Sequence, residues 1–162
     1  MHELITKEDI GCESRHHNFS NTLNRLLELG ALPILNENDT IATDEIVIGD
    51  NDTLAAIVAK SVQADLLVLL SDIDGLYTAD PHSHPDATLI HTVHKIDEEI
   101  MALAGVSSTT LGTGGMVTKL RAAEICLSSG CDMVIANGRN PDLLYDILDG
   151  KQVGTKFTEK CL

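Results

Sequence analysis

Leu66-Leu67-Val68-Leu69-Leu70 is an unbroken aliphatic run that stops abruptly at Ser71-Asp72. A strand with one wet face would place a polar residue at every second position. A continuous run of this length instead fits a parallel strand covered on both faces. Two other short apolar runs end in the same way, Ala31 to Leu35 before Asn36 and Met133 to Ala136 before Asn137. Helical spacing appears before the first of them, with Phe19, Leu23, Leu26 and Leu27 ahead of a stop at Gly30, and again before Leu66, with Leu54, Ile57, Val58 and Val62. Further helices are predicted over 96–104 and 116–128. Strands alternating with helices predict an α/β fold, a largely parallel sheet sandwiched between helices. Ligands of such sheets bind beyond the carboxyl ends of the strands, so Asn36, Ser71 and Asn137 are expected on the rim of one crevice.

The remaining stretches are less constrained. Met1 to His17 is polar and gives no assignment. Thr40 to Ile48 fits a small hairpin, and Thr88 to Val93 a further strand. Asn140 is expected to cap, and Pro141 to start, a helix whose apolar side is Leu143, Leu144, Ile147 and Leu148. Val153 to Phe157 is expected to close the sheet as an edge strand. With 162 residues and no internal repeat, one domain over 1–162 is the expectation.

Between the first apolar run and the second helix lies an acidic stretch, Asn36 to Asp52. It holds six Asp or Glu, three Asn and no Lys or Arg. Crowded like charges repel, and none of these side chains can fill a core. One reading is a polar turn followed by a helix cap from Asp50-Asn51-Asp52. The other is a grip on the polar end of a small substrate, and one side chain can cap while its neighbour faces a ligand. Gly112-Thr113-Gly114-Gly115-Met116-Val117-Thr118-Lys119 is the second such feature. A glycine turn entering a helix presents free N–H groups and the positive end of the helix dipole, and Lys119 in the first turn can reach a phosphate. The spacing is not that of a Walker loop, and a plain glycine-rich connector is the competing reading.

The whole chain carries 11 Lys or Arg against 25 Asp or Glu, a formal charge of −14. That balance argues against nucleic acid or an anionic membrane as partner, and leaves small anions only where local cations meet them. No apolar run approaches membrane-spanning length, and Cys12, Cys126, Cys131 and Cys161 form no CxxC, so reduced thiols in a cytoplasmic protein are expected. Cys126 and Cys131 are expected to pack as small apolar residues around a helix end. His82, His84, His91 and His94 straddle a proline loop and a strand without a convincing ligand spacing, and are read as solvated.

Taken in order, Pro33-Ile34-Leu35-Asn36-Glu37-Asn38-Asp39, Gly49-Asp50-Asn51-Asp52, Ser71-Asp72-Ile73-Asp74-Gly75-Leu76-Tyr77-Thr78-Ala79-Asp80-Pro81, Gly112 to Lys119 and Ile135-Ala136-Asn137-Gly138-Arg139 closely resemble the glutamate 5-kinases of the amino acid kinase superfamily. The resemblance runs from about Leu4 to Phe157. It implies transfer of the ATP γ-phosphoryl group to the side-chain carboxylate of L-glutamate, with Mg²⁺ held mainly through phosphates, as the first step of proline biosynthesis. By match to the family's motifs, Asp39 and Asn51, with Asp50 close by, would bind glutamate. Ser71, Asp72, Thr113, Gly114, Gly115, Met116, Val117, Thr118 and Lys119 would bind ATP. Lys119 and Asp52 would be catalytic, Asp52 by orienting lysine around the phosphates. Homo-oligomerisation and feedback inhibition by proline at the glutamate site are further expectations of the family.

The sequence departs from the family in lacking its opening strand, which carries a lysine and a glycine-rich turn, and a following segment with a substrate-binding serine. The fold expected is therefore amino acid kinase-like but incomplete at its N-terminus, without the RNA-binding-like domain of some members. Alternatives of other classes are a catalytically incompetent nucleotide-binding fragment, one half of a split kinase, or a related aspartate or acetylglutamate kinase.

Overall fold

A computed structural model describes residues 2–5, 12–38, 50–105 and 115–160. Its elements in chain order are β1 (His2–Ile5), α1 (Glu13–Glu28), β2 (Ile34–Glu37), α2 (Asn51–Ser61), β3 (Leu66–Ser71), β4 (Thr92–Val93), α3 (Glu98–Gly105), α4 (Met116–Leu127), β5 (Asp132–Asn137), α5 (Leu143–Leu148) and β6 (Thr155–Phe157). β1 and β2 pair in parallel, and β3, β5, β6 and β4 form a second sheet in that order. β3 and β5 run parallel with Leu66 opposite Asp132 and Ser71 opposite Asn137, so their polar ends are aligned. The α/β architecture with mostly parallel pairing is the expected one.

Particular boundaries differ for physical reasons. The polar N-terminal stretch contains both β1 and the first part of α1, which starts at Glu13 although its apolar spacing begins only at Phe19. Only Phe19 and Leu23 of α1 are buried, so a single narrow stripe suffices to hold it. The strand expected over Ala31 to Leu35 is shifted to Ile34–Glu37 and carries Asn36 and Glu37 within it. Of the strand expected over Thr88 to Val93, only Thr92 and Val93 pair with β6, while Leu89 makes an isolated bridge to Tyr77. Asn140 accepts from the Asp142 N–H at 3.1 Å and makes a turn there, with α5 beginning at Leu143. Of the four apolar residues expected to face the core from this helix, Ile147 is buried and Leu148 is exposed. The hairpin expected over Thr40 to Ile48 lies outside the described residues.

β6 is the clearest correction. Expected at the edge, it lies inside the sheet, antiparallel to β5 and parallel to β4. Its Thr155 side chain explains why the interior position is held. The hydroxyl donates to the Ile90 carbonyl at 2.6 Å and accepts from the Leu76 N–H at 2.8 Å, tying the loop after β3 to the approach to β4. Gly75 makes this possible, because a Cβ there would stand 2.4 Å from the Thr155 hydroxyl oxygen. Gly154 turns the chain into β6 at φ +63°, with its Cα so close to the sheet that a Cβ would meet the Ile135 carbonyl oxygen at 2.0 Å.

The main core lies between this sheet and helices α2 and α4. Ala56 and Ala59 of α2 and Ala122 and Ala123 of α4 are buried, and such small side chains let the two helices approach closely. Met133, Ile135 and Phe157 fill the sheet side. Cys126 and Cys131 pack in this core as small apolar residues, and burial pushes the Cys126 thiol up to about 12. A second cluster of Ile5, Phe19, Leu23 and Leu54 joins α1 and β1 to α2.

At the start of β5, Asp132 is buried and bound to the chain's last described segment. Burial pushes its carboxyl up, but the Thr158 hydroxyl at 2.7 Å and the Lys156 ammonium at 3.1 Å more than offset this and hold it below the usual carboxylate range. A depressed carboxyl contributes stability above its unfolded value, about 3.9, and loses it as pH falls through the lower folded value. Asp132→Asn should therefore flatten the acid limb of the stability curve below about pH 4, read as urea midpoints across pH 2 to 6. Thr155→Val should lower unfolding stability by about 1–3 kcal/mol, since it leaves the buried Leu76 N–H without an acceptor. Urea titration monitored by far-ultraviolet circular dichroism measures it.

Candidate active site

Each of the two longest helices of the main core leads through a short connection into a strand, α2 into β3 and α4 into β5. α2 rises about 16 Å and β3 extends about 20 Å, so a helix that folds back along its strand begins near the level at which the strand ends. The N-termini of α2 and α4 consequently lie towards the sheet edge that carries Ser71 and Asn137.

Asp50 begins this arrangement. It is the N-cap of α2, accepting from the Thr53 N–H at 2.7 Å and from the Thr53 hydroxyl at 2.9 Å. Both of its oxygens are thereby engaged, which is the capping reading of the acidic stretch, and Asn51 and Asp52 follow in the first turn. Asp52 reaches across to α4. Its Oδ2 accepts from the Lys119 ammonium at 3.1 Å and from the Thr118 hydroxyl at 2.7 Å. Side chains of Lys119 and Asp52 are 11% and 17% exposed, so this is a largely desolvated ion pair that joins two helix starts 67 positions apart.

The two helix starts differ in charge. α2 has the Asp50 cap and Asp52 in its first turn, whereas the N-cap of α4 is Gly115 and its first turn holds no acidic residue. The positive end of the α4 dipole is therefore supplemented by Lys119, with one carboxylate in contact with that ammonium among the described residues. Glycine at the cap leaves the first N–H groups of α4 without a side-chain acceptor from the cap itself, the local chemistry that accepts a phosphate. Met116 is buried behind this turn, and Val117 is half-buried.

A second polar group sits at the ends of β3 and β5. The Ser71 hydroxyl donates to Asp72 Oδ1 at 3.1 Å. Asn137 donates to Asp74 Oδ1 at 2.8 Å, while the Tyr77 hydroxyl donates to Asp74 Oδ2 at 3.0 Å. Partial burial, followed by this contact with Asp74, holds the Tyr77 phenol above its ordinary range and so protonated. Asn137 Oδ1 also accepts from the Arg139 N–H at 3.1 Å, fixing the turn after β5. The sequence placed Asn137 on the rim of the crevice, and Asp74 and Tyr77 within a family motif, but assigned no individual role to any of the three. Each lies at or just beyond the polar end of an aliphatic run.

Of the candidates, the structure brings together Asp50, Asn51, Asp52, Thr118 and Lys119 around two helix starts, and Ser71 and Asp72 at the strand end. Asp39, Thr113 and Gly114 lie outside the described residues. Among the described residues no group of three His, Cys, Asp or Glu side chains gathers into a metal-holding cluster. No helix among them is long and apolar enough to cross a membrane.

Comparison with known proteins bears on the family and the fold. A family model described as the amino acid kinase family matches residues 3–137. Glutamate 5-kinase of Clostridium tetani is 53% identical over 154 residues, covering 95% of this chain and 58% of that protein. The Listeria monocytogenes glutamate 5-kinase is 48% identical over 161 residues, covering 97% of this chain and 58% of its own length. That of Thermoanaerobacter pseudethanolicus is 50% identical, with 95% of this chain and 41% of the relative covered. The chain thus spans about half the length of the curated relatives it matches. Among solved structures, Giardia lamblia carbamate kinase bound to AMP-PNP superposes with a TM-score of 0.62 at 21% identity, over 87% of this chain and 49% of that one. The isopentenyl phosphate kinase of T. acidophilum gives 0.58 at 23% identity, over 85% and 52%. These two likenesses concern the fold.

Asp52→Ala should leave the Lys119 ammonium desolvated without its carboxylate and lower stability by about 3–5 kcal/mol. The Asp52→Asn and Lys119→Met pair should be strongly non-additive in a double-mutant cycle read by urea unfolding.

Proposed function

We propose that this chain, which belongs to the amino acid kinase family, forms the phosphate-handling part of a glutamate 5-kinase, an ATP-dependent enzyme that phosphorylates the side-chain carboxylate of L-glutamate. The observation that carries the reading is the Lys119 ammonium, held by Asp52 beside the uncapped start of α4. Close identity to the glutamate 5-kinases supports the choice of acceptor.

The chemistry suits the residues present. A carboxylate is already a nucleophile at neutral pH, so its attack on the γ-phosphorus requires no general base, and catalysis is positioning together with charge neutralisation. The first N–H groups of α4, with Gly115, Met116, Val117 and Thr118, and Thr113 and Gly114 ahead of them, receive the phosphates. Lys119 neutralises charge on the transferred phosphoryl group and on the oxygen that leaves. Asp52, held in turn by the Thr118 hydroxyl, fixes the ammonium, so it meets that charge already oriented and little reorganisation is needed during transfer. Ser71 and Asp72 lie at the strand end, where the remainder of the nucleotide is received.

On the acceptor side, Asp39 takes the glutamate ammonium and Asn51 donates to its carboxylates. Asp50 contributes by holding the turn on which Asn51 stands, because both of its oxygens are bound by Thr53. Mg²⁺ fits through ATP phosphates, since Asp52 is committed to Lys119 and Thr118 and no three-ligand cluster occurs among the described residues. When bound there, it neutralises phosphate charge. The product is glutamate 5-phosphate, the first intermediate of proline biosynthesis, and proline resembles glutamate closely enough at its amino and α-carboxyl groups to compete for the same site. A cytoplasmic homo-oligomer is the corresponding setting.

Coverage of about half of the relatives is also consistent with a second reading, a nucleotide-binding portion that turns over only when the rest of the enzyme is supplied. Glutamate-dependent formation of ADP, measured with and without that remainder, distinguishes the two. In whichever form is active, Lys119→Ala should lower kcat by about 10²–10³-fold, the scale for losing one preorganised charge-stabilising group. Unchanged turnover in that variant would remove Lys119 from the mechanism. A chain that shows no stabilisation by Mg-ATP in thermal unfolding, alone or completed, would overturn the nucleotide-binding reading itself.

A further inference from the structure

The ladder between β3 and β5 ends at Ser71 opposite Asn137, and the chain after β3 then turns away from the sheet. Two backbone anchors flank that turn. The Gly138 N–H donates to the Ser71 carbonyl at 2.8 Å, and the Leu76 N–H donates to the Thr155 hydroxyl at 2.8 Å. Between them Asn137 reaches the turn at two points. Its Nδ2 donates to Asp74 Oδ1 at 2.8 Å and lies 3.4 Å from the Asp72 carbonyl oxygen. Tyr77 takes the other Asp74 oxygen at 3.0 Å, and Asn137 Oδ1 is itself fixed by the Arg139 N–H.

This contact mirrors the one between the helix starts. Asp52 and Asp74 belong to the α2–β3 unit and the turn that follows it, whereas Lys119 and Asn137 belong to the α4–β5 unit. Each carboxylate of the first unit is met by a donor of the second. Their surroundings differ. The Asp52–Lys119 pair is desolvated, but Asp74 is exposed, and Asn137 and Tyr77 are only half-buried. Water replaces a lost partner at such a site, so these hydrogen bonds add little to stability. What they restrict is geometry, because a carboxylate held through both oxygens fixes the backbone that carries it.

We infer that Asn137 and Asp74 are a positioning pair for the nucleotide. They hold the turn bearing Ser71 and Asp72 in register with the start of α4, and so set the affinity for Mg-ATP without touching the transferred phosphoryl group. The inference rests on the kinase reading, in which those two places receive one nucleotide, and adds the element that keeps them at a constant separation. Asn137 suits the task because it stands at the end of the strand into which α4 leads, so the turn is referred to the same unit that carries Lys119.

Steady-state kinetics of whichever form turns over, alone or completed, tests the pair. Asn137→Asp sets a second carboxylate against Asp74 and should raise KM for ATP by about fivefold or more, with kcat and KM for glutamate unchanged. Tyr77→Phe frees one Asp74 oxygen and should raise KM for ATP by about two- to threefold. The decisive variant combines Asp74→Asn with Asn137→Asp. The amide introduced at position 74 then donates to the carboxylate at position 137 and still accepts from the Tyr77 hydroxyl, so KM for ATP should return close to its original value. A merely structural role predicts no such rescue of affinity. Unchanged KM for ATP in Asn137→Asp overturns the inference, as does failure of the exchange to restore it, or an equal rise in KM for both substrates. Protein that is stabilised by Mg-ATP in thermal unfolding but shows no glutamate-dependent turnover counts against the kinase reading alone. The stabilisation by Mg-ATP then gives the same comparison: a loss in Asn137→Asp that the exchange restores supports the pair, and equal stabilisation in all variants overturns it.

Discussion

The Asp52–Lys119 pair is the constraint on which the arrangement of the site depends. Its members lie 67 positions apart and belong to different helix–strand units, so the contact exists only if α2 and α4 pack side by side with their starts level. The alanines buried along both helices permit that packing, and β3 and β5 fix its axial position through the short connections that precede them. A desolvated ammonium is costly by itself. Asp52, itself held by the Thr118 hydroxyl, offsets that cost while leaving the start of α4 without an acidic group of its own. The fold thus creates a localised positive site in a chain with net charge −14.

Positioning propagates outward from the same sheet. Thr155 clips Leu76 and Ile90 together, which fixes the loop beyond β3, and that loop contains Asp74 and Tyr77. Asn137 then joins the end of β5 to Asp74, so the polar ends of two adjacent strands are braced by side chains as well as by the ladder. Such bracing costs little at a strand end, where the side chains are no longer required to fill the core. On the opposite flank, β3 and β2 each pair with one strand among the described residues, and Leu70 and Ile34 are exposed.

Much of the fold was legible in the sequence because it rests on local periodicity. The run Leu66 to Leu70 reads as a doubly covered strand without knowledge of its neighbours, and Gly30 marks the end of α1. Asp50 reads as a cap because capping requires only a residue and the N–H groups three positions ahead. Other features were hidden for equally physical reasons. α1 begins several residues before its first apolar contact, since its polar opening turn is carried by the rest of the helix. β6 was expected at the edge as the last strand of the chain, but Lys156 turns to Asp132 and the flanking Thr155 and Phe157 are buried.

For the site, the sequence determined the chemical inventory and its order along the chain. A carboxylate-rich turn, a glycine entry to a helix with its lysine, and aliphatic runs ending in Ser71 and Asn137 are all statements about neighbouring residues. Neighbouring residues alone leave open which carboxylate serves which partner, although the family resemblance already implied that Asp52 orients lysine, and the structure shows the contacts. Asp50 turns inward on its own helix, whereas Asp52, two residues on, crosses to Lys119. Asp74, with no distinguishing local pattern, becomes the acceptor shared by Asn137 and Tyr77. The physical reason is that helix caps and strand periods are set within a few residues, while an ion pair between two helices depends on the packing distance and axial level of elements the local sequence does not encode.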